Sequence, residues 1–307
     1  MRNRDSYSRR DFLRTSGALA GTVLAHHCAQ PLLSQASEPP TKVSAHIWVY
    51  ASKYPPNWDA TPDLDQAFSD LKYAGFDGVE LMEVNLRHDD AVEHIAGLSK
   101  KHGIPVTGCS YGASLWDAKT HDATMKDIAV VVPRLSQLHG KTFGISVGDA
   151  KRPKTDAEFD AQAAILKEIS ALCASHGIVP NLHNHTYEVA NGMHDLKGTL
   201  ARLPDFKLGP DLNWLVRGGV DPVTFINTYA KQIVYMHLRD QYADGTWTEY
   251  LGQGVANFPA IAAALRANHF KGRAAVELAF ESKFVPTQPL RETWKRSRDC
   301  VRTAFGW

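Results

Sequence analysis

The chain has 307 residues, 44% hydrophobic and 22% charged, a composition that fits a packed domain and excludes a disordered one. Lys and Arg number 34 against 33 Asp and Glu, for a formal net charge of +1. That balance gives no basic field for nucleic acid or an anionic membrane and points to a small-molecule partner.

The first element is a targeting segment. Ser8-Arg9-Arg10-Asp11-Phe12-Leu13-Arg14 precedes an apolar stretch, Ala18 to Ala25, that is too short to span a bilayer. The pattern resembles a bacterial twin-arginine export signal. Ser34-Gln35-Ala36 has the small-x-small form of a cleavage site. The expected layout is therefore a signal peptide over 1–36, a linker over 37–42 and one domain over 43–307. It implies the twin-arginine machinery as a partner, a periplasmic or otherwise exported location, and no stable membrane insertion after cleavage.

From Val43 onward, short β-branched or apolar runs alternate with longer segments of helical period, as in a parallel sheet with crossover helices. The predicted strands are Val43–Tyr50, Gly78–Met82, Ile104–Ser110, Thr142–Val147, Val179–His185, Lys207–Asp211, Ile233–Leu238 and Arg273–Leu278. Between the first two, Thr61 and Pro62 start a helix whose buried face is Leu64, Ala67, Phe68 and Leu71. Gly75, Gly103, Gly140 and Gly177 follow helical patterns and precede strands, where a left-handed residue ends a helix. Ile165, Ile169, Leu172 and Cys173 form another apolar stripe, and Asp221-Pro222 reads as a cap with a first-turn proline. No GxGxxG follows the first strand, which disfavours a doubly wound open sheet. The expected fold is α/β, a single (β/α)8 TIM barrel. Cys28, Cys109, Cys173 and Cys300 lack CxxC spacing, and no obligatory disulfide is expected.

Barrel enzymes carry their chemistry where the strands end. The fifth predicted strand ends in Asn181-Leu182-His183-Asn184-His185-Thr186-Tyr187-Glu188, the sixth in Asp211, the seventh in His237 and the eighth in Glu277. Carboxylates and imidazoles from neighbouring strands can converge on one divalent cation. Glu80 ends the second strand as a candidate substrate ligand or base. On the first strand, alternation sends His46 and Trp48 to the same side, where they would line the mouth. Trp214 is a candidate apolar wall for a sugar. Asp240 is a candidate acceptor for the second nitrogen of His237, or for a substrate hydroxyl.

Leu182-His183-Asn184-His185 with Glu188, Asp211-Leu212-Asn213-Trp214, Arg217-Gly218-Gly219-Val220-Asp221-Pro222, His237-Leu238-Arg239-Asp240, Leu251-Gly252-Gln253-Gly254 and Val276-Glu277 occur in this order. Together they make the chain similar to the sugar phosphate isomerase/epimerase family of xylose isomerase-like barrels, in the branch with an HNH-type run on strand five. The resemblance implies metal ligands at Asp211, His237 and Glu277, with the remaining ligand at the end of strand five. Charge favours Glu188 there, with His183 as the alternative. Three carboxylates and one imidazole suit Mn²⁺, with Mg²⁺, Co²⁺ or Fe²⁺ also compatible, whereas a second imidazole shifts the balance toward Zn²⁺.

The function so implied is an isomerase or epimerase that removes a proton beside the carbonyl of a sugar or keto-glycoside through a metal-stabilised enediolate. His183, His185, Glu188 and Glu277 are the catalytic candidates, with His183 first as the base. A lyase acting by β-elimination shares this first step, and a non-catalytic exported carbohydrate-binding barrel is the alternative from another class. No phosphate loop is present, so an unphosphorylated substrate is expected.

Overall fold

The computed structural model describes residues 41–307. The export signal, its cleavage site and Cys28 lie outside these residues. Among the described residues, no helix is long and apolar enough to cross a membrane.

Seven strands, β1 (Val43–His46), β2 (Gly78–Met82), β3 (Val106–Gly112), β4 (Thr142–Ser146), β5 (Val179–Leu182), β6 (His237–Leu238) and β7 (Ala274–Glu277), form a parallel sheet in the order β5-β4-β3-β2-β1-β7-β6. The ring is completed by the extended segment 207–211, where Leu208 bridges both Leu182 and Ile233, and Asp211 bridges His237. This is the sixth predicted strand reduced to isolated bridges. Pro210 sits inside it with no N–H to give to a ladder, and His237 N donates to the Pro210 carbonyl instead. The eight staves make the expected TIM barrel. Several predicted strands are longer than those observed. The first ends at His46, and Trp48–Ala51 forms a helical turn, α1. The fifth ends at Leu182, before the histidines.

The outer ring comprises α2 (Leu64–Ala74), α3 (Ala91–His102), α4 (His121–Gln137), α5 (Asp156–Ser175), α6 (Thr186–Arg202), α7 (Leu212–Arg217), α8 (Pro222–Tyr229), α9 (Phe258–Ala267) and α10 (Leu290–Phe305). The predicted stripe of α2 is buried, and Gly75 closes the helix at φ 78°. Gly103 and Gly177 are also left-handed, but at the end of α4 that conformation falls on His139, φ 65°. Gly140 is needed for a different reason, since a Cβ there would come within 2.2 Å of Leu135 Cδ1. Asp221 caps α8 by accepting the Thr224 amide, with Pro222 in the first turn. The run of α6 is interrupted at Ala190–Met193, where Asn191, Gly192 and Met193 all take positive φ. On the far side of the barrel α10 packs on α2. Its Trp294 is fully buried against Phe76 and donates from Nε1 to Tyr50 Oη at 3.0 Å.

Candidate functional site

Side chains two apart along an extended chain share a face, so Tyr235, His237 and Arg239 all turn to the barrel interior. His237 reaches across it. Its Nε2 lies 2.7 Å from Glu80 Oε2, which also accepts the Tyr235 hydroxyl at 2.8 Å. The Glu80 carboxylate therefore holds the proton on Nε2 and leaves Nδ1 as the nitrogen that can offer a lone pair once the ring is neutral.

That nitrogen is buried and lies 2.8 Å from Glu277 Oε2, out of line for a hydrogen bond. Asp211 Oδ2 is likewise buried and accepts no hydrogen bond. Its other oxygen accepts the amides of Asn213 at 2.9 Å and Trp214 at 3.0 Å, capping α7. The Asn184 amide clamps the Asp211 backbone from both sides, giving to its carbonyl at 3.3 Å and accepting from its N–H at 3.2 Å. His183, Asp211 and His237 bring ligand atoms within 4.8 Å of one another. An imidazole nitrogen facing a carboxylate oxygen, beside a second buried carboxylate oxygen that accepts no hydrogen bond, is a donor set that a shared cation would satisfy by displacing the imidazole proton. The residues present fit a divalent ion, which His183, Asp211, His237 and Glu277 would hold.

The structure places the two strand-five candidates differently. Glu188 is the third residue of α6, and its Oε2 accepts the His185 amide at 2.6 Å to cap that helix. The cluster takes His183 instead. Asp240 is also placed differently. It does not meet His237 but gathers the amides of Gln241, Gly252, Gly254 and Ala256 at 2.9 to 3.1 Å, folding the loop after β6 around its carboxylate. Glu80 fills the orienting place expected of Asp240. His46 accepts the Trp48 amide at Nδ1, 3.2 Å, and so donates from Nε2 to Ser110 Oγ at 2.8 Å.

Charge follows this packing. Burial works against an ionised His237, yet the Glu80 and Glu277 carboxylates hold the imidazole well above its usual range. Burial pushes Asp211 up to about 6 against the pull of Arg239, whose Nη1 lies 3.5 Å from Asp211 Oδ2 and 3.1 Å from Glu277 Oε1. Burial pushes His183 well down and His185 down to about 4. It raises Glu188 to about 8, and that residue's Oε1 has no partner.

A cavity of about 400 Å³ opens over this cluster. His46, His183, His185, His237 and Glu277 line one part, Trp214 and Trp247 wall it, and Trp48, Glu83 and Tyr111 lie along the rest. Trp247 carries two guanidinium groups, Arg217 at 3.6 Å and Arg239 at 4.0 Å from its ring centroid. Glu80, below this cavity, holds His237 and does not line it. His185 lines it with Nδ1 3.3 Å from Ser146 Oγ. Sequence reasoning missed Arg239, Tyr235, Glu83 and Trp247. Alternation from His237 would have found the first two, whereas the other two lie beyond strand ends where periodicity stops.

The model of the xylose isomerase-like TIM barrel family matches residues 68–304. Among solved structures, a sugar phosphate isomerase/epimerase from Parabacteroides distasonis is 16% identical, covering 88% of this chain and 96% of its own, at a TM-score of 0.69. The 3-keto-D-glucoside 4-epimerase from E. coli is 18% identical over 86% of this chain and 100% of its own, at 0.67. An L-ribulose 3-epimerase is 18% identical over 87% and 95%, at 0.70. A comparison with curated proteins found no match.

Proposed function

The chain belongs to the xylose isomerase-like TIM barrel family, and from that premise we propose that it is a divalent-metal enzyme that moves a proton on the carbon beside the carbonyl of a sugar or glycoside, as an isomerase or epimerase does. The observation that carries this reading is the buried cluster of His183, Asp211 and His237 beside Glu277 Oε2, in which His237 Nδ1 and Asp211 Oδ2 make no hydrogen bond. Two imidazoles and two carboxylates suit a borderline ion such as Mn²⁺, Fe²⁺, Co²⁺ or Zn²⁺. When bound, such an ion would polarise the substrate carbonyl and offset negative charge developing on its oxygen.

The remaining work falls to the chain. With His183 among the ligands, His185 becomes the base. It lines the cavity, burial keeps it neutral near pH 7, and Ser146 fixes its Nδ1 edge. Arg239 braces Glu277 and Asp211, and Trp214 and Trp247 exclude water from that side. Among the described residues, Arg239 is the one Lys or Arg lining the cavity and it is already engaged, which supports an unphosphorylated substrate. Solvent-deuterium exchange into keto-sugars and keto-glycosides by the metal-loaded protein tests the proposal. Exchange should occur and disappear in Asp211→Ala, and absence of exchange with a full complement of metal would refute it. Export is proposed on Arg9-Arg10 and the apolar run after them.

A further inference from the structure

Across the mouth from the ligand cluster the cavity has a second wall that the proton chemistry does not use. In the order of staves around the ring, β2 faces segment 207–211. Just past the end of β2, Glu83 lines the cavity with its side chain only 18% exposed. Its nearest cation is Arg87, at 3.7 Å. That guanidinium is already held by both oxygens of Asp127, at 2.9 and 2.8 Å. Among the described residues, the other donor to the Glu83 carboxylate is its own backbone amide. A carboxylate offers about four acceptor positions, so Glu83 keeps capacity for donors that enter the cavity it lines.

The surroundings say what kind of donor. Tyr111 lines the same wall, with its hydroxyl fixed on Asp127 at 2.9 Å and its ring against Phe143. Trp48 lines the cavity nearby, and Trp58 packs on it with ring centroids 5.5 Å apart. Trp58 is held at φ 54°, left-handed for an aromatic residue, and is exposed, a strained placement of the sort that functional surfaces retain. Flat apolar rings beside a carboxyl with spare acceptor capacity suit a neutral polyol, with C–H faces on the indole or phenol and hydroxyls on the acid.

We propose that Glu83, Tyr111 and Trp48 form a second sugar-ring subsite across the barrel mouth from the metal-ligand cluster, so that the substrate is a glycoside of at least two rings. This rests on the sugar-enzyme reading above. One ring presents its carbonyl to the cluster, and the distal ring lies on the β2–β3 wall with hydroxyls donated to Glu83.

The test uses calorimetric titration of the metal-loaded protein with neutral disaccharides (maltose, cellobiose and trehalose) and with methyl glucoside. The best disaccharide should bind at least tenfold more tightly than methyl glucoside. Hydrogen bonds to a charged group set the Glu83→Ala loss at roughly 10- to 100-fold, which should collapse that ratio to within about threefold of one. Glu83→Gln, which keeps the acceptor, should recover part of it. Metal content should match wild type in both variants. Equal affinities for one-ring and two-ring ligands in the wild type, an unchanged ratio in Glu83→Ala, or loss of metal from that variant would each overturn the subsite while leaving the sugar reading intact. Failure of every sugar to bind would overturn that reading and the subsite with it.

Discussion

Replacing Glu80 with Gln tests how the centre is oriented. Glu80 touches neither His237 Nδ1 nor Asp211 Oδ2, yet its Oε2 sits 2.7 Å from His237 Nε2 and fixes which nitrogen carries the proton. Gln is the same size and can still accept through its carbonyl, but it has no charge to strengthen the N–H donor, and its NH2 can turn to Nε2 and favour the opposite tautomer. Losing such an outer partner typically lowers metal affinity by 10- to 100-fold, about 1.4 to 2.7 kcal/mol. Tyr235→Phe removes only the second donor to the same oxygen, 2.8 Å away, and should cost less than about tenfold. Competition against a fluorescent chelator gives the affinities, with circular dichroism to show that the barrel is intact. If Glu80→Gln binds metal within about threefold of wild type, the orienting role is wrong. A Tyr235→Phe loss as large as the Glu80→Gln loss would point to general disturbance of the interior instead.

His183→Ala and Asp211→Ala should lose stoichiometric metal, read by elemental analysis, whereas Glu188→Ala should keep it. Metal retained in His183→Ala and lost in Glu188→Ala would restore the charge-based choice. His185→Ala should keep metal and lose solvent-deuterium exchange by about 10²- to 10⁴-fold; exchange at the wild-type rate would move the base elsewhere. Asp211 lies at about 6 because of burial and must be deprotonated to bind an ion. Metal affinity should therefore fall as pH drops below about 6, by up to tenfold per unit for each proton displaced, and a flat profile in chelator titrations would count against the site. Arg9→Lys with Arg10→Lys should trap precursor in the cytoplasm, measured by fractionation. Trp294→Ala empties a fully buried site and should cost about 3–5 kcal/mol in urea unfolding.

The barrel was legible because alternation and helix-ending glycines repeat along the chain, and Asp211, His237 and Glu277 were legible because each closes one extended run. The separation of Glu188 from the cluster has a local cause. His185 and Glu188 stand in the N-cap and third positions of α6, a spacing that commits the carboxylate to a backbone amide, and weighing ligands by charge alone overlooked it. Asp240 was opaque for another reason, since its amide partners lie up to 16 residues on, in a loop without periodicity. Glu80 looked like a substrate group because sequence places it at a strand end but cannot say that an imidazole from the opposite wall will meet it.

The thin seam at segment 207–211 makes the centre mechanical as well as chemical. Pro210 deprives that stave of a continuous ladder, so β5 and β6 are joined through isolated bridges, and opening of the barrel should start there. The proposed donors His183, Asp211 and His237 sit one on each side of the seam and one upon it. An ion among them would act as a suture, closing the cylinder where its own backbone is weakest. Hydrogen exchange should reveal this as slower loss of the Leu208, Gly209 and His237 amide protons on metal loading, with the ladder between β2 and β3 unchanged.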